Sequence, residues 1–366
     1  MPISDRSTTS RAVLRTSYKI ADEQQNPNIL LRPFSSLRLE EILLVLFIGI
    51  IAWAYQATQP SPPRTCGSPD RHPINSPRMK LRDGRRLAYK EHGVPKDMAN
   101  YKIVYINAFD SCRHDALVAD HASSELVVEL GSYIVSFDRA GYGESDPHPK
   151  KILKSIALDV EELADHLGLG PKFYVIGYSM GGEFTWTCLK YIPHRLAGVA
   201  LLAPVINYWW PGFPANLSKE ASRVAHYAPW LTYWWNTQTW FPGSNVIADV
   251  FDHFPPKNLE INSKLTENNV EHARQQGEFE SIHQDVNIGF GTWEFDPLEL
   301  KNPFPNNEGS VHLWHGNKDP LVPLQLQRYI ARQLSWIQYH ELPGMGHMFP
   351  YDDGLVDTII KRMLGR

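Results

Sequence analysis

"KFYVIGYSMGGEFTW", Lys172 to Trp186, decides how this chain is read. Phe173 to Gly177 is a run of strand formers that stops on Ser179, set between glycines, and Phe184, Cys188 and Ile192 then follow at helical spacing. A strand that turns sharply into a helix leaves its apex residue exposed in a strained backbone conformation. The residues two before and two after that apex must then be small, so that strand and helix can pass closely. Gly177 and Gly181 meet that need, and Ser179 stands where a nucleophile would stand.

Working outward, short apolar runs at 101–106, 133–137, 173–177, 198–203, 311–315 and 337–342 read as buried strands. Between several of them lie helices. The clearest is "LKSIALDVEELADHLGLG", in which Leu153, Ile156, Val160, Leu163 and Leu167 recur at spacings of three and four before Gly168 and Gly170 stop it. "MKLRDGRRLAYKEHG", from Met79, predicts a hairpin turning at Asp83-Gly84. Alternating strands and helices predict an α/β fold with a mostly parallel central sheet covered on both faces. The alternation breaks between about Tyr208 and Pro305, long enough for an inserted helical cap between the sixth and seventh strands.

A serine hydroxyl becomes a nucleophile only when a base takes its proton and a third group fixes the tautomer of that base. Asp319, in "GNKDPLVP" after the strand at 311–315, and His347, in "GMGHMFP" after the strand at 337–342, follow Ser179 in the chain order associated with this turn. In a doubly wound sheet, residues beyond the carboxyl ends of strands gather at one edge, so the three can meet. His315 and His340 fall within strands and read as packing residues. The sequence has no HExxH, no paired CxxC and no P-loop, so neither metal nor nucleotide cofactor is expected.

These residues resemble the α/β-hydrolase superfamily. "SFDRAGYGESDP", Ser136 to Pro147, is similar to the family's segment after the fourth strand, and "GYSMGG", "GNKDPLVP" and "GMGHMFP" follow in the family's order. The longer strings "LKYIPHRLAGVALLAPVINYWWPGFP" and "HLWHGNKDPLVP" resemble a plant branch of single-anchor α/β-hydrolases. The resemblance covers about residues 78–366 and implies a serine hydrolase of carboxylesterase or lipase type. It further implies an oxyanion hole made by the backbone N–H groups of Met180 and Phe109. One departure stands out: where the family usually has His-Gly after the third strand, this sequence has Asn107-Ala108. Weak turnover is one consequence to expect, and a ligand-binding or receptor-like protein is the alternative reading. A membrane protein using its cap as an interface, with the triad vestigial, is a third.

The cap is crowded with aromatics from Tyr208, Trp209 and Trp210 through Trp240 and Phe241, which suits an apolar, acyl-type substrate or a surface dipping into lipid; a well-packed cap core is the plain alternative. Asn107, Asp110, Tyr178, Trp209 and Trp210 are the expected substrate-binding residues. Residues 264–285 are polar and read as an exposed helical part of the cap.

"ILLVLFIGIIAWAY", Ile42 to Tyr55, carries no charge and closes on interfacial aromatics, so 42–58 reads as a membrane anchor. A buried helix and the apolar part of a signal sequence compete with that reading. Arg6, Arg11, Arg15, Lys19, Arg32 and Arg38 precede it, placing the amino terminus in the cytosol and the body in a lumen such as that of the endoplasmic reticulum; an organellar transit peptide is the alternative. The expected organisation is therefore a polar segment (1–41), the anchor (42–58), a proline-rich tether (59–77), hydrolase core (78–207 and 306–366) and cap (208–305). With Lys+Arg 36 against Asp+Glu 40 there is no basic footprint for nucleic acid, and three scattered cysteines make no disulfide framework. Asn216-Leu217-Ser218 matches a glycosylation acceptor in a lumenal body.

Overall fold

The computed structural model describes residues 38–69, 73–218, 222–240 and 270–366, in two units, Met1–Gln56 and Ala57–Arg366. Phe241 and residues 264–269 of the polar cap segment lie outside the described residues. The first helix, α1 (Leu39–Thr58), is 20 residues long and buries none of them. At 1.5 Å per residue it is about 30 Å long, and it is long and apolar enough to cross a membrane.

The second unit is organised by one eight-stranded sheet: β1 (Arg78–Lys80), β2 (Arg86–Gly93), β3 (Tyr101–Ile106), β4 (Ser132–Phe137), β5 (Phe173–Tyr178), β6 (Leu196–Leu202), β7 (Val311–Gly316) and β8 (Ile337–Leu342). Its order is β1-β2-β4-β3-β5-β6-β7-β8, with β2 antiparallel to both its neighbours, β1 and β4, and β3 to β8 mutually parallel. The β1–β2 turn uses Gly84 at φ 94°, and the Asp83 carboxylate accepts from Arg85 N–H at 3.0 Å.

Two apolar layers flank the sheet. On one face α4 (Leu153–His166) sets Leu153, Ile156, Val160 and Leu163 against α5 (Met180–Tyr191), which contributes Phe184, Trp186 and Cys188. On the other, α2 (Leu117–His121), α3 (Ser124–Leu130) and the carboxyl-terminal helix Leu355–Met363 pack Leu117, Leu126, Ile359 and Ile360 on Ile103, Ile134 and Ile176. Central strands buried on both faces explain their near-continuous apolar reading.

From β3 the chain moves outward to β4 on one side and then returns to β5 on the other. The strand order reverses at the carboxyl ends of β3 and β5, the switch point at which open α/β sheets receive ligands. Residues 203–310 form the insertion between β6 and β7, with short helices Arg223–Tyr227, Thr232–Thr237 and Gln284–Gly289 among the described residues.

Two segments differ from expectation. Residues 64–69 and 73–76 are laid onto the body: Arg64 N–H donates to Gln276 O at 2.7 Å, the Cys66 thiol to Gly143 O at 3.4 Å, and the Asn75 and Ser76 amides to the Glu144 carboxylate. The polar cap segment, expected to be exposed, buries Ala273, Gln276, Ser281, Ile282, His283 and Asp285. Its polar groups find partners in the loop after β4, with Gln276 Nε2 donating to Gly143 O at 2.9 Å.

Candidate active site

Ser179 ends β5 at φ 54°, ψ −118°, a conformation that costs a non-glycine residue on the order of 1–3 kcal/mol and persists only where its surroundings enforce it. They do: Ser179 N–H donates to Leu202 O at 2.9 Å, and its own carbonyl accepts from Val205 and Glu183, each at 3.0 Å. A Cβ on Gly177 would lie 2.3 Å from Gly181 O, and one on Gly181 would lie 2.1 Å from Ile106 O. The glycines therefore let α5 leave the strand at once and press its first turn against the end of β3.

Ser179 Oγ lies 2.9 Å from His347 Nε2, and His347 Nδ1 lies 2.7 Å from Asp319 Oδ2. The carboxylate accepts the Nδ1 proton, which leaves Nε2 as the acceptor for the serine hydroxyl. Asp319 is fixed by its other oxygen, which accepts from Leu321 and Val322 N–H at 2.8 and 3.0 Å. Burial pushes its carboxyl up, but the adjacent His347 outweighs this and holds it below the ordinary 3.8. The loops bearing the two residues are laced together: Lys318 N–H donates to Met345 O at 2.8 Å and Gly344 N–H to the Asn317 side chain at 2.8 Å.

The remaining expected residues divide. Met180 opens α5, and the Asn107–Phe109 loop leaves β3 beside it, Asn107 O being 2.5 Å from where a Gly181 Cβ would sit. Asn107 is fully buried, with Nδ2 donating to Phe137 O at 3.3 Å. Asp110, at φ 55°, pairs both carboxylate oxygens with Arg274 of the cap. Tyr178 is buried behind the histidine, its hydroxyl donating to His347 O at 3.3 Å. Trp209 stacks on His226 at 4.1 Å. Trp210 belongs to the core, packed among Trp186, Phe213 and Trp293. Of the other cap aromatics, Tyr227, Trp230 and Trp240 are 63–75% exposed.

Four residues near this centre were not singled out for the site in the sequence. His315, read as packing, lies within 3.8 Å of Asp319 and donates Nε2–H to Val322 O at 3.2 Å; burial pushes its pKa down, so it stays neutral. Glu183, one turn after Ser179, is fully buried with neither carboxyl oxygen hydrogen-bonded among the described residues, and burial followed by Asp285 drives it well above the ordinary 4.5. Arg139 and Asp285 form a buried ion pair, joined by Lys151 Nζ at 2.7 Å and the Tyr142 hydroxyl at 2.8 Å. Burial pushes the Asp285 carboxyl up, yet Arg139 and Lys151 hold it below 3.8. Isolated charged residues whose partners lie elsewhere in the chain carry no spacing signal, so the pattern marks neither Glu183 in α5 nor the Arg139–Asp285 pair. No group of three or more His, Cys, Asp or Glu placed to hold a metal occurs among the described residues.

The family described as alpha/beta hydrolase fold matches residues 92–354. Among solved structures, a thermophilic esterase from Thermogutta terrifontis is 18% identical, covering 80% of this chain and 99% of its own with a TM-score of 0.57. The enol-lactonase from Burkholderia xenovorans LB400 is 16% identical, covering 79% and 100%, with a TM-score of 0.56. The esterase from Exiguobacterium antarcticum is 16% identical, covering 79% and 100%, with a TM-score of 0.53. At these identities the likeness is one of fold. No match is found among curated protein sequences.

Proposed function

The chain belongs to the α/β-hydrolase fold family, and from that premise we propose that it is a serine hydrolase cleaving an ester-type acyl bond of an apolar substrate. The observation that carries this reading is the unbroken hydrogen-bonded line from Ser179 Oγ through His347 to Asp319, at 2.9 and 2.7 Å, at the switch point where the strand order reverses. In the reaction Ser179 Oγ attacks the substrate carbonyl as His347 Nε2 takes the hydroxyl proton. Asp319 stabilises the imidazolium through Nδ1–H. The Met180 and Phe109 amides face the developing oxyanion, and loss of one such donor typically costs about 10²–10³ in rate. His347 then passes the proton to the leaving alkoxide, and a water deprotonated by the same nitrogen clears the acyl-enzyme.

In the same proposal Tyr208, Trp209 and the other half-buried cap aromatics receive the acyl chain, α1 anchors the chain in a membrane with the body lumenal, and the likeness to single-anchor plant hydrolases is one of kind. Asn216 is exposed, so a lumenal body would be glycosylated there. The test is fluorophosphonate labelling and p-nitrophenyl ester hydrolysis by the full-length chain in detergent, beside Ser179→Ala. Labelling and turnover that vanish in the variant are expected; a wild-type chain that neither labels nor turns over would overturn the reading. The Asn107-Ala108 loop favours one alternative, a ligand-binding hydrolase fold that labels yet turns over negligibly.

A further inference from the structure

We propose that Arg139 is a positioning residue that sets the oxyanion loop and ties it to the cap. The inference rests on reading Ser179 as the nucleophile.

Arg139 follows β4 by two residues and is 2% exposed. Its Nη1 donates to Asn107 O and, at 3.0 Å, to Ala108 O, while Nη2 donates to the Asp285 carboxylate. The guanidinium face lies over Tyr142 at 4.7 Å and Phe184 at 5.4 Å, so its plane is fixed as well as its charge.

Ala108 C=O and Phe109 N–H belong to one planar trans peptide and point in opposite directions. Drawing that carbonyl onto Arg139 therefore aims the Phe109 amide away from Arg139, and no acceptor among the described residues occupies that amide. A cation on the carbonyl also polarises the peptide and strengthens its N–H as a donor. The orientation is supplied here from the end of the neighbouring strand, by a side chain 31 residues away from Ala108.

The other end of the clamp is on the cap. Asp285 heads the helix Gln284–Gly289, and Lys151 and Tyr142 hold its carboxylate in place. Asp110, the next residue of the loop after Phe109, is gripped independently by Arg274 of the same insertion. A displacement of the cap would therefore be felt as a rotation of the 108–109 peptide. This makes the donor geometry, rather than substrate affinity, the quantity that Arg139 controls.

The experiment uses full-length wild type, Arg139→Met and Arg139→Lys. Asp285 keeps Lys151 in both variants, and thermal unfolding checks that each is folded; where Arg139→Met is not, Arg139→Lys is decisive. Three readouts are taken: kcat and KM on a p-nitrophenyl ester, inhibition by a trifluoromethyl ketone that forms an oxyanion on Ser179, and amide hydrogen exchange of the peptide containing 107–110. We expect kcat to fall about 10²-fold in Arg139→Met with KM within threefold, the ketone to weaken in parallel, Arg139→Lys to fall between, and exchange at 107–110 to quicken while 173–178 is unchanged. Unchanged exchange, or a loss carried by KM, overturns the inference while leaving the hydrolase reading intact. A wild-type enzyme that the ketone and fluorophosphonate do not touch overturns both.

Discussion

Gly181→Ala isolates the contact on which the site's geometry depends. Gly181 lies in the first turn of α5 and its φ is not positive, so alanine there would ordinarily favour the helix by about 0.8–1 kcal/mol. Sterics reverse the sign. The added Cβ would sit 2.1 Å from Ile106 O and 2.5 Å from Asn107 O, both backbone atoms, where ordinary contact begins at 3.4 Å. From 2.1 to 3.4 Å, helix and strand must part by about 1.3 Å, and neither is a flexible side-chain end. Overpacking of this kind costs about 1–3 kcal/mol. Because Met180 precedes the substituted residue and Asn107 leads into Phe109, the parting separates the two proposed donors, and a 1 Å misplacement costs about 10²-fold in rate. Hydrolysis of a p-nitrophenyl ester at saturation and urea unfolding measure the two effects. Gly182→Ala is the control: its Cβ meets Pro204 Cα at 2.9 Å and no atom of the 107–109 loop is among its nearest neighbours, so stability should fall with a smaller change in kcat than in Gly181→Ala. Retention of more than a third of wild-type kcat in Gly181→Ala, at undiminished stability, would refute the reasoning.

Asp319→Asn leaves an amide oxygen able to accept from Leu321 and Val322 but no longer fixes the Nδ1–H tautomer, so kcat should fall about 10³–10⁴-fold as in serine proteases; a loss under tenfold in steady-state assays would count against its role. Asp138→Ala removes the partner of fully buried Arg113, leaving only Glu144 at 2.8 Å, and should cost about 3–5 kcal/mol in urea unfolding; a loss below 1 kcal/mol would show that Glu144 suffices. His92, His114 and His312 are pushed down to about 4, by burial first and then by neighbouring cationic groups, so they are neutral in the fold yet take up a proton near 6.5 when unfolded. Through these three groups the unfolded state binds more protons between these values, so their contribution to stability falls as pH drops from 6.5 toward 4 and levels off below, while Glu183, held above 4.5, contributes in the opposite direction. His312→Gln should therefore lose less stability than wild type as pH falls from 7 to 4.5, and a melting-temperature difference between the two that stays constant over that range would contradict this.

The strands and the serine turn were legible because their signals are local. Phe173–Gly177 and Val311–His315 are short apolar runs, and the turn's demand for Gly177 and Gly181 is met within five residues. What escaped depends on partners far away in the chain. Gln276 and Asp285 look solvated in a polar segment, yet their side chains bond to groups 131 to 146 residues distant. Composition also cannot say which way an aromatic points, so Trp209 and Trp210 read alike, although one stacks on His226 and the other fills the core against Trp186. His315 reads as packing by its place in a strand; it packs against Asp319, four residues on, because the loop after β7 folds back so that Val322 O meets the imidazole.

The contacts that Arg64, Cys66, Asn75 and Ser76 make ahead of β1 matter for where this protein can be cut. Glu144 is 1% exposed, and besides Arg113 its carboxylate relies on the amides of Asn75 and Ser76. A fragment beginning at Arg78, the first strand residue, would keep every strand and every candidate active-site residue, yet would strip two charge-assisted hydrogen bonds from that carboxylate and uncover the turn at Gly143. One beginning at Ala57 would keep them. Trimming that removes Asn75 and Ser76 would therefore act as a destabilising lesion on the loop that carries Arg139, even though it severs nothing in the catalytic sheet.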